Sequence, residues 1–184
     1  MPDSIIVPRI ETQRLILRGL SEDDIPFLFK HFGKDEINAF VADDNVRSMV
    51  EARELYEKYI APRPSLFRLG LVLKETGNLI GTLGLYGIDN VNKRAVVGVD
   101  LMKEYWGKGL MSEALQRLIS YAFTEMRLNR IEGSADPQNL KSIQLLERCG
   151  FKKEGVLRQK SYYKGAFHDD AIYSILKREW RGQV

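Results

Sequence analysis

The sequence predicts a mixed α/β fold that begins with antiparallel strands and continues with strand–helix crossovers. Two observations support this prediction. Strand patterns separated by short turn signals follow one another from Leu66 to Leu101, which favours hairpins. The most regular helical pattern, from Leu110 to Met126, then lies between two strand patterns, which favours a crossover. A chain of 184 residues fits one domain, residues 1–184, with a sizeable core.

The elements before the crossover are predicted from caps, periodicity and turn residues. A strand spans Arg14 to Arg18, and the capping pattern Ser21-Glu22-Asp23-Asp24 opens a helix that ends at Gly33. The remaining elements are a helix from Val46 to Ile60 and strands from Leu66 to Leu73, from Leu79 to Ile88 and from Arg94 to Leu101.

The elements after the crossover begin with a strand from Ile131 to Ala135. Asn139 caps the next helix, and Gly150 ends it. Strands from Phe151 to Tyr162 and from Phe167 to Leu176 complete the chain as a hairpin around Lys164-Gly165. The complete order is strand, two helices, three strands, helix, strand, helix and two strands, unlike a purely parallel βαβ series.

A glycine-containing segment, Trp106-Gly107-Lys108-Gly109, joins the strand that ends at Leu101 to the helix that starts near Leu110. Free N–H groups and the positive end of the helix dipole meet at such a junction and bind phosphate. Glycine lets a ligand approach the backbone closely and allows a positive φ. A P-loop is excluded because no Gly-Lys-Ser/Thr follows, and a dinucleotide fingerprint fits poorly because Ser112 replaces its third glycine.

The segment Glu104 to Gly109 resembles the pyrophosphate loop of the GNAT superfamily of N-acetyltransferases, [Q/R]-x-x-G-x-[G/A], although Glu104 departs at the first position. Downstream, Asn139 to Ser142 and Gly150-Phe151 are similar to the N-x-x-S … G-F element of the Rim-type branch, named for ribosomal-protein N-terminal acetyltransferases. Glu11 to Arg18 resembles the opening strand of that branch, and Tyr162 to Trp180 resembles its closing hairpin.

The resemblance implies the GNAT fold, a central mostly antiparallel sheet flanked by helices. Its two parallel strands, here at 94–101 and 131–135, splay apart and admit the pantetheine arm of acetyl-CoA. In this family the loop N–H groups hold the pyrophosphate, main chain before the loop polarises the thioester, and Ser142 contacts the sulfur. The implied cofactor-binding residues are Asp100, Leu101, Trp106, Gly107, Lys108, Gly109, Leu110, Met111, Ser112, Asn139 and Ser142.

The general base is the least defined group of the predicted site. The superfamily often places acids where Val96 and Ser134 stand in this chain. Period-two alternation leaves Glu132 and Asp136, ranked ahead of Asp100, as candidate bases. Proton loss through ordered water is an equal alternative. The predicted catalytic residues are Ser142, Glu132 and Asp136.

The acceptor amine is expected to bind between the N-terminal helices and the loop of the final hairpin. His168-Asp169 resembles a family feature and is interpreted as structural or site-lining. The candidate lining residues are Tyr162, Tyr163, Phe167, His168, Glu36, Asp43 and Asp44. Protein N-terminal α-amines, polyamines, amino acids and amino sugars all stay open as acceptors, and so does a homodimer.

Composition narrows the function classes further. The net charge is +3 and the pI about 8.9, and no block of five Lys/Arg residues suggests a nucleic-acid partner. One cysteine, Cys149, and two histidines make a disulfide or a metal site unexpected, and Cys149 fits a buried helix face. Neither a leader pattern nor a spanning apolar run is visible, so no membrane contact is expected and the cytoplasm is the expected compartment.

The sequence therefore predicts an acetyl-CoA-dependent N-acetyltransferase without a metal. Two alternatives stay open at this point. One is a nucleotide-binding oxidoreductase built on a Rossmann-like unit, although no acidic ribose clamp is well placed. The other is a catalytically silent GNAT domain that binds CoA.

Overall fold

The computed structural model describes residues 7–40 and 45–182. Eight strands form one sheet in the order β1-β2-β3-β4-β5-β6-β8-β7. The strands are β1 (Ile10–Glu11), β2 (Leu15–Gly19), β3 (Leu66–Leu73), β4 (Leu79–Asp89), β5 (Arg94–Leu101), β6 (Arg130–Ala135), β7 (Lys152–Tyr163) and β8 (Ala166–Leu176).

Within the described part of the chain, four α-helices pack on the two faces of this sheet. They are α1 (Ile25–Phe32), α2 (Met49–Leu55), α3 (Leu110–Thr124) and α4 (Leu140–Arg148). A π-helical turn, Tyr56–Ile60, continues α2. Among the described residues, no helix is both long and apolar enough to cross a bilayer.

The pairing between β5 and β6 is the only parallel pairing in the sheet of described residues, and it is short. It joins Arg94 to Arg130, Ala95 to Ile131 and Val96 to Glu132. Both strands continue beyond these pairs, so a gap opens between them, as the resemblance implied. We call this gap the mouth. All other neighbouring strands run antiparallel.

The two faces of the sheet differ because side chains alternate along each strand. Ala95, Val97 and Leu101 of β5 join the main hydrophobic cluster with α3, and Leu146 of α4 packs against Gly133 of β6. We call this side the α3 face. Val96, Gly98 and Asp100 point to the other side, where α1 packs, and we call it the α1 face.

Most predicted elements are confirmed, and the differences have local causes. The strand β1 was missed because two residues are too few to show a period. The second helix begins at Met49 rather than near Val46, because Ser48 is extended and its hydroxyl accepts the Glu51 N–H. Asn139 caps α4 as predicted, with its side chain accepting the Ser142 N–H at 3.2 Å.

Candidate active site

The glycine loop adopts the conformation that its sequence requires. Gly107 and Gly109 both have φ of +75°, in the left-handed region that glycine alone adopts without strain. Gly109 is the N-terminal cap of α3 and offers no side chain to the first free N–H groups of the helix. A Cβ at Gly107 would meet no atom within 4 Å, so the space over the loop is open. The loop therefore fits a pyrophosphate held by main chain.

Trp106 ties this loop to the end of β5. Its backbone N–H donates to Lys103 O at 3.1 Å, and its indole N–H donates to Leu101 O at 2.7 Å. The backbone N–H is thus occupied, and we correct the prediction that Trp106 contributes it to the phosphate. The Lys141 ammonium lies 3.9 Å from the centre of the Trp106 ring, which places a cation from α4 beside the loop.

Arg14 also holds the glycine loop in place, through contacts that the sequence did not reveal. Its backbone N–H and Nε donate to the Glu113 carboxylate at 2.8 and 2.7 Å, and its Nη1 donates to Lys108 O at 2.9 Å. The Lys108 carbonyl and the Gly109 N–H belong to one trans peptide and point in opposite directions. By holding the carbonyl, Arg14 turns the Gly109 N–H away from itself and fixes the peptide for a ligand.

We expect Arg14→Met to weaken acetyl-CoA binding by about tenfold, the loss of one charge-assisted hydrogen bond. Calorimetric titration with acetyl-CoA measures the change. Arg18→Met is the matched control, because Arg18 lies four residues further along the chain, in β2, and pairs with Asp24 instead of the loop. Equal acetyl-CoA affinities of the two variants would contradict a role for Arg14 in positioning the loop.

The end of β5 turns part of its main chain toward the mouth. Alternate residues of an antiparallel strand direct their N–H and C=O groups at the same neighbour. Met102 donates its N–H to Ile80 O on β4 at 2.9 Å, so Asp100, two residues earlier, also faces β4. Leu101 faces the other way, because its carbonyl accepts the Trp106 indole N–H. The Leu101 N–H therefore lies on the side of the mouth, as predicted for a group that contacts the cofactor. The main chain of Asp100 faces β4 instead, which corrects the prediction that Asp100 binds the pantetheine arm.

The Asp100 side chain lies in a polar cluster on the α1 face. Its carboxylate accepts hydrogen bonds from Arg68, from His31 Nε2 at 2.7 Å and from the hydroxyl of Thr82 at 2.6 Å. Burial raises the pKa of the Asp100 carboxyl, but Arg68, His31 and Thr82 lower it more, and the net pKa lies far below the ordinary value. Asp100 is therefore a poor base, contrary to its candidacy.

Ser142 lies in the first turn of α4, next to Lys141, whose ammonium lies over the Trp106 ring of the loop. Cys149 at the other end of α4 is buried, and burial raises the pKa of its thiol to about 11, which agrees with the predicted structural role. The Ser142 hydroxyl has no hydrogen-bond partner among the described residues and is half-buried. It can donate to a ligand without giving up an internal contact.

Glu132 and Asp136, the two leading base candidates, are both engaged elsewhere. Glu132 lies where β5 and β6 still pair, and it bonds Arg130 Nε at 2.7 Å. It precedes Asp136 by four residues, which is about 13 Å of strand. Asp136 is buried and accepts Tyr163 OH at 2.6 Å, His168 Nδ1 at 3.1 Å and the Gln138 N–H at 2.7 Å.

These contacts make Asp136 a weak proton acceptor. Burial raises the pKa of the Asp136 carboxyl, but the hydrogen bonds from Tyr163, Gln138 and His168 lower it more, so the net pKa falls below its ordinary value. Tyr163 stays a neutral donor, because burial and the adjacent Asp136 raise the pKa of its phenol. The structure therefore does not support Asp136 or Glu132 as the base.

The elements expected to bind the acceptor do meet. Lys164 at the turn between β7 and β8 donates to Ala39 O, beyond α1, at 3.3 Å. Tyr162 and Phe167 form an exposed edge-to-face pair with ring centres 4.9 Å apart, whereas Tyr163 is buried. Glu36 is exposed, and the other two acidic candidates, Asp43 and Asp44, lie outside the described residues.

Comparisons with known proteins agree with this geometry. A family model described as an acetyltransferase (GNAT) domain matches residues 14–152. An uncharacterized N-acetyltransferase of Bacillus licheniformis, p20, is 38% identical over 173 residues, which are 93% of this chain and 97% of that protein. YdaF of Bacillus subtilis, whose name places it provisionally among ribosomal N-acetyltransferases, is 44% identical over 107 residues, 58% of each chain.

A solved structure extends the likeness to three dimensions. Spermidine N-acetyltransferase from Vibrio cholerae, in complex with CoA and spermine, superimposes with a TM-score of 0.81 at 28% identity. The match covers 91% of this chain and 98% of that one.

The splayed strands and the glycine loop define an acyltransferase that takes its acyl group from a CoA thioester. The family match then makes the assignment specific: the chain belongs to the GNAT acetyltransferases, and it is an acetyl-CoA-dependent N-acetyltransferase. The oxidoreductase alternative is not supported, because neither this family nor the mostly antiparallel strand order fits a doubly wound nucleotide-binding unit.

Proposed function

We propose that this chain, as one GNAT domain of the Rim type, transfers the acetyl group of acetyl-CoA directly to a primary amine while both substrates are bound. The amine is a protein N-terminal α-amine or belongs to a small molecule. One observation carries the proposal. The mouth between β5 and β6 opens beside a glycine loop that caps α3, with the Leu101 N–H on its side.

Each of these groups has a separate role in the proposed transfer. Backbone N–H groups from Gly107 to Ser112 hold the pyrophosphate, and Lys108 and Lys141 add positive charge beside it. The Leu101 N–H donates to the thioester oxygen, where negative charge develops during attack. Ser142 donates its hydroxyl to the sulfur as the thiolate leaves. Asn139 stabilises the start of α4 and so fixes the position of Ser142.

A transfer assay tests the proposal and its acceptor class together. The protein is incubated with acetyl-CoA and one amine at a time: spermidine, a free amino acid, an amino sugar, or short peptides with free N-terminal Ser or Ala. Mass spectrometry identifies the acetylated product, and release of the CoA thiol gives the rate. Peptide acetylation supports the Rim-type proposal, whereas transfer to spermidine alone would assign a polyamine acceptor. Acetyl-CoA binding without transfer to any amine would favour the silent domain.

We expect Ser142→Ala to lower kcat by about tenfold to a hundredfold, because one transition-state hydrogen bond is worth roughly 1–3 kcal/mol. The acetyl-CoA affinity should change little, since the hydroxyl acts mainly as the thiolate forms. Steady-state kinetics with the best amine, together with calorimetric titration, separates the two effects. Ser120→Ala, ten residues into α3, is a control with the same chemical change in a helix. A Ser142→Ala enzyme with the wild-type kcat would remove Ser142 from the mechanism.

A further inference from the structure

The two histidines of this chain occupy matching places on the two sides of the mouth. The strands β5 and β6 are in register at Val96 and Glu132. Asp100 stands four residues after Val96, and Asp136 stands four residues after Glu132, so the two carboxylates lie at the same level where the strands have separated. His31 bonds Asp100 at 2.7 Å, and His168 bonds Asp136 at 3.1 Å.

The first pair is closed and electrically compensated. The His31 side chain is 0% exposed, and its ring stacks on Phe27 with centres 5.1 Å apart. Arg68 already balances the charge of Asp100. Nothing in this arrangement lets His31 exchange a proton with a substrate, and we interpret the pair as a structural anchor for α1.

The second pair is partly exposed and, within the described ranges, lacks a cationic partner. The His168 side chain is 27% exposed, and none of the described lysines or arginines bonds Asp136. Asp136 accepts a hydrogen bond, so His168 Nδ1 carries the hydrogen and Nε2 carries the free electron pair. Tyr163 stacks on the ring with centres 3.7 Å apart and bonds the same carboxylate oxygen, which fixes the imidazole plane.

The Nε2 atom of His168 is buried and has no hydrogen-bond partner among the described residues. His31 Nδ1 is likewise unpartnered among them, but the His31 side chain is fully enclosed, whereas the His168 side chain is 27% exposed. A buried polar atom without a partner is costly and needs an explanation.

The groups next to His168 are its hydrogen-bond partner Asp136, the stacked Tyr163, and Ser161, its partner on β7. Asp170 lies two residues further along β8 and pairs with Lys160 at 3.3 Å. Asp136 is the group that stabilises a positive charge on the ring, and a donor arriving at the mouth would satisfy Nε2.

We propose that His168 is the general base of the transfer reaction, with Asp136 as its positioning residue. The inference rests on the proposed function. His168 Nε2 takes one proton from the ammonium form of the acceptor, and the resulting amine attacks the acetyl carbon. The C–N bond forms, the C–S bond breaks, the second amine proton passes to the sulfur, and His168 returns its proton to solvent. The products are the acetylated amine, CoA thiol and one proton.

The test compares His168→Asn with His31→Gln. In His168→Asn the new amide nitrogen can replace Nδ1 as the donor to Asp136, but no basic atom replaces Nε2. In His31→Gln the new amide likewise keeps the bond to Asp100. We expect kcat/KM of His168→Asn to fall about 10²-fold with the best amine of the panel, the usual size of general-base catalysis. The acetyl-CoA affinity should be unchanged, and His31→Gln should keep most of its activity.

The pH dependence provides a readout that a structural role would not change. The wild-type profile of kcat/KM should contain a limb that stays in place when amines of different basicity are compared, and His168→Asn should lose that limb. A folded His168→Asn enzyme with more than about a third of the wild-type kcat/KM, or with the limb intact, would overturn the assignment. A wild-type protein that neither acetylates an amine of the panel nor releases CoA thiol from acetyl-CoA would instead overturn the proposed function, and the base with it.

Discussion

Gly109→Val should abolish measurable acetyl-CoA binding, with an affinity loss of more than about 100-fold. Gly109 has φ of +75° and caps α3, and in the proposed binding mode its main chain lies against the phosphates. A valine there disturbs the Arg14 contact that holds the loop in place and also strains the backbone by roughly 1–2 kcal/mol. A Cβ at this position would lie 3.5 Å from Arg14 Nη2, the side chain that supports the loop.

The backbone strain needs its own control, and Gly77→Val supplies it. Gly77 has φ of +70° in the turn between β3 and β4, and a Cβ there meets no atom within 4 Å. Both variants should therefore lose similar stability in thermal unfolding, but only Gly109→Val should lose acetyl-CoA binding in calorimetric titration. A folded Gly109→Val protein that binds acetyl-CoA like the wild type would show that the phosphate binds elsewhere.

The parts of the site that the sequence predicted are those made by neighbouring residues. A glycine before a helix implies a positive φ and free N–H groups, and Gly107 and Gly109 have both features. Asn139 before an amphipathic helix implies a cap, and its side chain accepts the Ser142 N–H. Strand patterns and turn residues predicted the antiparallel strands, and the resemblance to the GNAT fold implied the parallel pair.

The contacts that the sequence could not predict join residues far apart along the chain. Arg14 and Lys108 are separated by 94 positions, and His31 and Asp100 by 69. Strand alternation showed that Asp100 lay on one face, but it could not show that Arg68 from another strand would neutralise it. Whether a carboxylate can act as a base depends on the groups that surround it. For Asp100, these groups depend on how the sheet and α1 pack together.

The cluster around Asp100 gives a second large effect, this time on stability. Arg68→Met should lower the free energy of unfolding by about 3–5 kcal/mol, because it leaves a buried carboxylate without its charge partner. Asp100 is 10% exposed and cannot regain water without moving α1. Urea unfolding at about pH 7 measures the loss. Arg53→Met should leave stability nearly unchanged, because its pair with Glu22 is exposed and screened by solvent.

The acid dependence of the same variant distinguishes a lost charge pair from a lost packing contact. The contacts of Asp100 lower its pKa in the folded state, so its stabilising effect is present above the unfolded pKa of about 3.9 and is lost as the pH falls further. In Arg68→Met the carboxylate lacks its main partner, and protonation then relieves the penalty instead of removing a benefit. The free energies of unfolding of wild type and variant should therefore converge between about pH 7 and about pH 3. A difference that stays constant over this range would mean that Arg68 stabilises the fold through the packing of its side chain and not through the charge of Asp100.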